Sequence, residues 1–170
     1  GNLIDYEQPT KYLVASKSYD DSYATPVLTA GQTFLLGYTN EEHAKYPAST
    51  RSPVIIFDDF TTAYKWVDFE FKVKSSAMKM LTVKENAPIT LRYFWYALST
   101  INIDTSEHTR YWISKFSNIE IPIPPIEVQQ GIVTILDKFT ELEAELEAEL
   151  EARRIQFAHY TAQIFEDQKY

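Results

Sequence analysis

The sequence predicts an α+β fold, in which a domain with a mixed or antiparallel sheet is followed by one long C-terminal α-helix. Short apolar and alternating segments, bounded by turn residues, fill residues 25–83 and are typical of strands. Beyond Pro124-Pro125, apolar side chains recur at steps of three or four residues, the period of a helix. We therefore divide the chain into a globular domain at 1–123 and a coiled-coil helix at 124–170.

Several short segments have the composition of strands. They lie at residues 12–15, 25–33, 53–60 and 78–83. The clearest pattern is at 67–73, where Val67, Phe69, Phe71 and Val73 alternate with charged residues. Such alternation predicts a single strand with one apolar and one charged face.

A first helix is expected after the last of these strands. Asn86 is a good N-cap residue, and the proline at position 88 is tolerated in a first turn. The helix then runs to about Ser99, with a stripe of apolar side chains that includes Leu91 and Leu98.

The C-terminal helix carries a seam of apolar and aromatic side chains, and the one longer step in it passes over Arg153. Its members are Ile132, Leu136, Phe139, Leu142, Leu146, Leu150, Phe157, Tyr160 and Ile164. A helix of this length is about 60 Å long, which exceeds the width of a small domain. We therefore expect the seam to pack on a partner helix, as in a coiled coil. The alternative is a helix that folds back on its own domain.

A short repeat lies within this helix, at Leu142–Glu145, Leu146–Glu149 and Leu150–Arg153. Its composition strongly favours a helix. Because a period of four differs from the 3.6-residue turn, the leucine stripe drifts by about 40° per unit.

The charge is unevenly distributed along the chain. The net charge of −8 argues against nucleic-acid binding at first sight. However, residues 1–126 hold 12 Lys/Arg against 14 Asp/Glu, a net of −2, whereas residues 127–170 hold 4 against 10, a net of −6. The first domain can therefore still present a basic face. No cysteine, signal-peptide pattern or membrane-length apolar run is present, so a cytoplasmic protein without membrane contact is the default expectation.

Polar and basic residues at strand ends and in loops are the candidate DNA-binding residues. They are Arg51, Thr61, Thr62, Lys65, Ser75, Ser76, Lys79 and Arg110. Such side chains suit phosphate contacts and hydrogen bonds to base edges. At any single position, ordinary surface polarity explains the residue better than DNA contact does.

Evidence for catalysis or for a metal site is weak. Asp58 and Asp59 end an apolar run and would need a third ligand from elsewhere, since neighbouring strand residues point to opposite faces. A solvated turn explains the pair better. The three histidines share no metal-ligand spacing, and no catalytic motif occurs.

The junction before the long helix resembles that of specificity subunits of type I restriction-modification enzymes. It reads Ile121-Pro122-Ile123-Pro124-Pro125-Ile126-Glu127-Val128-Gln129-Gln130, followed by Ile132-Val133-Thr134-Ile135-Leu136-Asp137. The family form is similar to Ile-Pro-Leu-Pro-Pro-Leu-Glu-Glu-Gln, and Ile123, Ile126 and Val128 depart from it. The segment 153–160 also resembles a family stretch, as do residues 53–83 and 108–125.

The resemblance implies a function as well as a fold. Full-length members of the family carry two recognition domains and two helices, and this chain resembles half of such a subunit. Each recognition domain reads one half of a split target in double-stranded DNA, and the helices set the spacing and dock methyltransferase subunits. The chain itself then has no catalytic activity and no cofactor. S-adenosylmethionine, ATP and Mg²⁺ belong to the partner methyltransferase and restriction subunits.

Two alternatives from other classes remain open at this point. The first is an acidic coiled-coil adaptor that binds only protein through its helix. The second is a metal-dependent enzyme that uses Asp58 and Asp59.

Overall fold

The computed structural model describes residues 2–31, 33–101, 111 and 115–166. Its strands are β1 (Ile4–Glu7), β2 (Thr25–Leu28), β3 (Leu35–Thr39), β4 (Val54–Asp58), β5 (Tyr64–Val67), β6 (Lys72–Val73) and β7 (Met78–Val83). Its α-helices are α1 (Leu91–Ser99) and α2 (Ile126–Glu166), and short 3₁₀ helices lie at Pro9–Tyr12 and Phe116–Asn118.

The described strands form two sheets. One has the order β1-β7-β4-β5, and each neighbouring pair in it is antiparallel. The other has the order β3-β2-β6, in which β2 is antiparallel to β3 and parallel to β6. These sheets, together with the 41-residue helix α2, confirm the predicted α+β class.

Strand β4 lies at the centre of the core because both of its faces are covered. Val54 and Ile56 belong to a buried cluster that includes residues of the second sheet, such as Leu28. The opposite face carries Phe57, which packs edge-on against Phe116 with ring centroids 4.8 Å apart. All side chains from residue 54 to 57 are fully buried, which explains the continuous apolar run in the sequence.

Helix α1 packs on the same face of the first sheet as Phe57. The Arg92 guanidinium of α1 lies 4.8 Å from the ring centroid of Trp66 on β5, and Trp95 meets Tyr64 at 6.3 Å. Trp66 and Tyr64 pair in register with β4, so their side chains share its outer face.

The prediction of one strand at 67–73 is wrong. The chain leaves the first sheet after Val67 and enters the second at Lys72, and Phe71 forms a bridge with Tyr46 in between. Phe69 is 41% exposed. An alternating pattern shows which side chains face inward but does not show that the chain crosses between two sheets.

The Lys72 side chain is buried, although the alternating pattern predicts that it faces solvent. Its Nζ lies 3.0 Å from a Glu41 carboxylate oxygen and donates to the His43 carbonyl at 3.1 Å. The same carboxylate accepts hydrogen bonds from the backbone N–H groups of Ala15 and Ser16. The Ser16 bond, helped by Lys72, holds the pKa of Glu41 below its ordinary value.

Two further local predictions are corrected. Residues 9–12 form a 3₁₀ helix where a strand was expected from residue 12, because Pro9 sets the backbone angle and lacks an N–H group. Helix α1 is capped by Thr90, whose Oγ1 accepts from the Tyr93 N–H at 3.2 Å, and not by Asn86. Asn86 has a positive φ of 60°, a turn conformation that asparagine tolerates.

The first turn of α2 is held by the buried side chain of Gln129. Its Oε1 accepts from the Thr90 N–H at 2.9 Å, and its Nε2 donates to the carbonyls of Pro88 and Pro124, both at 2.8 Å. Nearby, the Tyr93 hydroxyl donates to the Pro122 carbonyl at 2.9 Å. The carboxamide therefore ties the start of α1, the proline segment and the start of α2 together.

The chain forms two compact units, Gly1–Gln129 and Gln130–Tyr170. In the second unit the predicted seam from Phe139 to Ile164 is open to solvent, and its side chains are 49–74% exposed. Ile132 and Leu136 are half-buried. Among the described residues, no helix combines the length and the apolar character that are needed to cross a membrane.

We expect Gln129→Leu to lower the free energy of unfolding by about 3 kcal/mol, because each buried polar group that loses its partner costs about 1–3 kcal/mol. Urea denaturation measures this difference. The matched control is Gln130→Leu, since Gln130 is the exposed neighbour in the same turn. Equal stability of the two variants would show that the carboxamide bonds do not stabilise the junction.

Candidate nucleic-acid interface

The carboxyl end of β4 meets two other segments of the chain, and we call this region the β4 corner. It comprises the β4–β5 turn (58–63), the β6–β7 turn (75–77) and Tyr111. The backbone N–H of Asp59 donates to the Ala77 carbonyl at 3.0 Å, and the Tyr111 N–H donates to the Asp59 carbonyl at 2.9 Å. Asp59 therefore joins all three segments through its backbone.

The β4–β5 turn is closed by hydrogen bonds to Asp58. The Asp58 Oδ1 accepts from the backbone N–H groups of Phe60 and Thr61, both at 2.9 Å. The Thr62 N–H donates to the Asp58 carbonyl at 3.0 Å, and the Asp58 N–H donates to the Ala63 carbonyl at 2.8 Å. This frame keeps Thr62 at a φ of +61°, a left-handed conformation that is uncommon for a β-branched residue.

Such a conformation costs on the order of 1 kcal/mol and persists only where the surrounding bonds over-determine it. Phe60 and Thr61 are exposed at the apex of this turn, and Thr62 is half-buried. The turn is thus a rigid loop that presents one aromatic side chain and two hydroxyl groups.

A buried ion pair lies beneath the turn. The Nζ of Lys79 is 3.1 Å from Oδ2 of Asp59, and both side chains have zero exposure. The same Nζ donates to Oε1 of Gln8 at 3.2 Å, and it lies 6.0 Å from the centre of the Tyr6 ring. Because each charge is withdrawn from water, each one depends on the other for compensation.

The β6–β7 turn adds further hydroxyl groups to the corner. The Ser75 Oγ accepts from the Ala77 N–H at 3.1 Å, and the Ser75 carbonyl accepts from the Met78 N–H at 3.3 Å. Ser76 is exposed at the tip. The preceding Lys74 donates from Nζ to the Tyr19 hydroxyl at 3.1 Å, which places a positive charge beside the turn.

The structure brings together some of the predicted DNA-binding residues and separates others. Thr61, Thr62, Ser75 and Ser76 share the β4 corner, and Lys65 follows two residues after the turn, on β5.

Arg51 is exposed in a turn that precedes β4, so it lies at the opposite end of that strand. Arg110 lies outside the described residues. Lys79 is buried in β7, so its prediction as a DNA contact is wrong. Its charge is compensated inside the protein by Asp59, and no feature of the local sequence pattern identified that partner.

The predicted alternative of a metal site at Asp58 and Asp59 is not supported by the geometry. One carboxylate caps the turn and the other pairs with Lys79, so the two do not converge on a common point. Among the described residues, no group of three or more His, Cys, Asp or Glu side chains is arranged to hold a metal ion. The prediction that the pair is a solvated turn is also wrong, because Asp59 is fully buried.

Two residues of this corner are absent from the predicted DNA-binding set. The apolar run predicts a strand that includes Phe60, but its side chain is 40% exposed at the apex of the turn. The sequence pattern offers Asp59 only as a metal ligand or a solvated acid. Both residues follow the end of β4 at Asp58. A run of apolar residues followed by two acids does not predict where that strand ends.

The architecture and its polar corner are those of a domain that presents loops from a rigid sheet. The model of the family described as "Type I restriction modification DNA specificity domain" matches residues 5–152. The chain belongs to this family, and the resemblance at the junction is confirmed.

A curated relative extends this result. The chain is 54% identical over 173 residues to the type I restriction enzyme EcoR124I/EcoR124II specificity subunit of Escherichia coli. The alignment covers 96% of this chain and 43% of that protein, so the chain spans less than half the length of its relative.

Two solved structures are similar to this chain. The type I restriction-modification S subunit from M. genitalium aligns with 99% of this chain and 45% of its own length, at 15% identity and a TM-score of 0.64. This likeness supports the fold. The HsdS subunit from Thermoanaerobacter tengcongensis aligns with 85% of this chain and 37% of its own, at 14% identity and a TM-score of 0.48.

We expect Lys79→Met alone to lower the free energy of unfolding by about 3–5 kcal/mol, because it removes the cation that pairs with the buried Asp59 carboxylate. Asp59→Asn should have a similar effect, because it removes the anion that pairs with the buried Lys79 ammonium. The combined variant should regain much of the loss, since a buried ion pair as a unit contributes little. Urea denaturation of the four proteins measures this cycle.

The control is Lys11→Met, which removes a surface ion pair with Glu7 whose side chains are 69% and 38% exposed. That change should cost less than about 1 kcal/mol. A Lys79→Met variant that is as stable as this control would contradict the role of the buried pair.

Proposed function

We propose that this chain is one half of a type I specificity subunit, in which unit Gly1–Gln129 recognises one half of a split DNA target. The observation that carries the proposal is the family match over residues 5–152. The 54% identity to a specificity subunit supports it. In this role the chain is a cytoplasmic, non-catalytic subunit. Methyltransferase and restriction subunits supply adenine methylation and cleavage, and they bind S-adenosylmethionine, ATP and Mg²⁺.

The β4 corner is the part of the unit best suited to contact DNA. Its threonine and serine hydroxyls can donate to or accept from base edges and phosphates. Lys65 and Lys74 lie beside it, whereas Asp59 is neutralised inside the protein by Lys79. Few cations are available, so we expect weak affinity for DNA in the absence of methyltransferase subunits.

Helix α2 is proposed to pair with the helix of a second copy and to dock methyltransferase subunits. Its seam exposes large apolar side chains over several turns, an arrangement that is rare on a protein without a partner. Two chains that pair through antiparallel helices would carry a recognition domain at each end. The helix would then set the distance between the two half-sites.

We expect Lys65→Gln to weaken DNA binding about equally on all sequences and to lower the salt slope by about 0.9 per chain, as for one lost phosphate contact. Titration of DNA at several salt concentrations, with and without methyltransferase subunits, measures both quantities. Lys138→Gln, an exposed lysine on α2, is the control.

Equal salt slopes in these two variants would show that Lys65 does not contact a phosphate group. If the wild-type chain does not bind DNA under any of these conditions, the acidic adaptor becomes the better explanation.

The four-residue repeat should control the spacing of the two half-sites. Inserting one more Leu-Glu-Ala-Glu unit lengthens the helix by about 6 Å, which corresponds to at most about two base pairs at ~3.4 Å per pair. Self-association should persist because the unit brings its own leucine, and the half-site bases should stay unchanged. Light scattering and mapping of methylated sites measure the two effects.

A two-residue insertion at the same place is the control. It rotates the seam out of register and should abolish self-association. Changed half-site bases at a constant spacing would falsify the proposed spacer role of the helix.

A further inference from the structure

Phe60 occupies the apex of the β4–β5 turn with an exposed side chain, although it follows a fully buried strand. We propose that Phe60 is a specificity-determining residue, and that its ring contacts the 5-methyl group of a thymine in the major groove of the half-site. This inference rests on the proposed function and assigns one base contact within it.

The first support is the rigidity of the turn. Phe60 lies between Asp59, whose backbone and side chain are both anchored, and Thr61, whose N–H is bound by Asp58. The Phe60 N–H is bound by the same Asp58 oxygen at 2.9 Å. These bonds fix the backbone on which the Phe60 ring is carried, so the turn loses little backbone freedom on binding.

The second support is the shape of the element. Strands β4 and β5 form an antiparallel hairpin, with Phe57 paired to Tyr64 at its last register position. Because β4 also pairs with β7, the hairpin lies inside a four-stranded sheet and its turn is the part that projects from the sheet. The major groove of B-DNA is about 12 Å wide, so a projecting turn can enter it, and the apex of this turn consists of Phe60, Thr61 and Thr62.

The third support is the chemistry of the apex. Thymine is the base that displays a methyl group in the major groove, and phenylalanine is among the side chains that make apolar contact with it. The flanking threonine hydroxyls can bond to the donors and acceptors of neighbouring bases. The three residues of the apex are themselves uncharged, the Asp58 carboxylate bonds to the backbone of the turn, and the Asp59 carboxylate pairs with Lys79.

Exposure alone does not identify this site, as Phe69 shows. Its ring is 41% exposed, close to the 40% of Phe60, but it lies outside the β4 corner. It packs edge-on against Phe34 with centroids 6.4 Å apart and lines a cavity of about 420 Å³ with residues of β2 and β3. Phe69 therefore serves as a control of equal size and exposure.

The test uses the full chain assembled with its methyltransferase subunits and DNA duplexes that carry the mapped target. Each thymine of the half-site is replaced in turn by deoxyuridine, which removes only the methyl group. We expect one position at which the wild-type complex loses about fourfold in affinity, the effect of one buried methyl group.

In Phe60→Ala the affinity for the normal target should fall about tenfold, and the deoxyuridine effect at that position should disappear. In Phe69→Ala the deoxyuridine effect should remain. Phe60→Leu keeps an apolar side chain and should retain part of the effect. This coupling between one side chain and one methyl group would not arise if Phe60 served only to stabilise the fold.

Two results would overturn the inference and leave the proposed function intact. One is a wild-type complex that binds its target but responds to deoxyuridine at no position. The other is a deoxyuridine effect of full size in Phe60→Ala. A wild-type complex that does not bind the target would instead reject the proposed function, and this inference with it.

Discussion

The ion pair between Asp59 and Lys79 is the constraint on which the candidate interface depends. Both side chains are fully buried, and their charged atoms lie 3.1 Å apart. A charge in this position is tolerated only while its partner is present, so the pair holds the end of β4 against β7. The backbone of Asp59 is hydrogen-bonded to the β6–β7 turn and to Tyr111, so the position of Asp59 also determines where these two segments lie. Replacement by apolar residues could preserve stability, but it would remove the polar geometry that fixes these segments.

A second buried polar group, the carboxamide of Gln129, holds the first turn of α2 against the start of α1 and the proline segment. Its three hydrogen bonds satisfy the start of α1 and two proline carbonyls. The prolines around it donate no backbone hydrogen bonds. The carbonyls of Pro88, Pro122 and Pro124 accept from side chains, whereas the Pro125 carbonyl accepts from backbone N–H groups at the start of α2. This arrangement gives a physical reason for the proline-rich junction and for the glutamine that ends the family-like motif.

The sequence predicted those features that depend on a long, regular pattern. Helix α2 and its seam follow from steps of three or four residues that recur from Ile132 to Ile164, with one longer step over Arg153. Strands β4 and β7 were also predicted, because short segments rich in apolar residues and bounded by turn residues are typical of strands. These features were enough for the α+β class.

Features that depend on contacts between distant residues were not predictable in the same way. The alternation at 67–73 does not show that the chain passes from one sheet to the other. That change depends on the partners of Val67 and Lys72, which are Val54 and Val27. Lys79 looked like a surface cation because nothing local reveals its pairing with a residue twenty positions earlier. Phe60 looked buried because its exposure depends on where β4 ends.

The most direct measurement maps methylated adenines in cells in which this 170-residue chain is the only specificity subunit, together with methyltransferase subunits. Two identical chains related by a twofold axis read the same bases on opposite strands. We therefore expect one half-site sequence that occurs twice as an inverted repeat, separated by a fixed number of unspecified base pairs. Methylation at an unsplit site, or at two different half-sites, would contradict recognition by a symmetric pair of these chains.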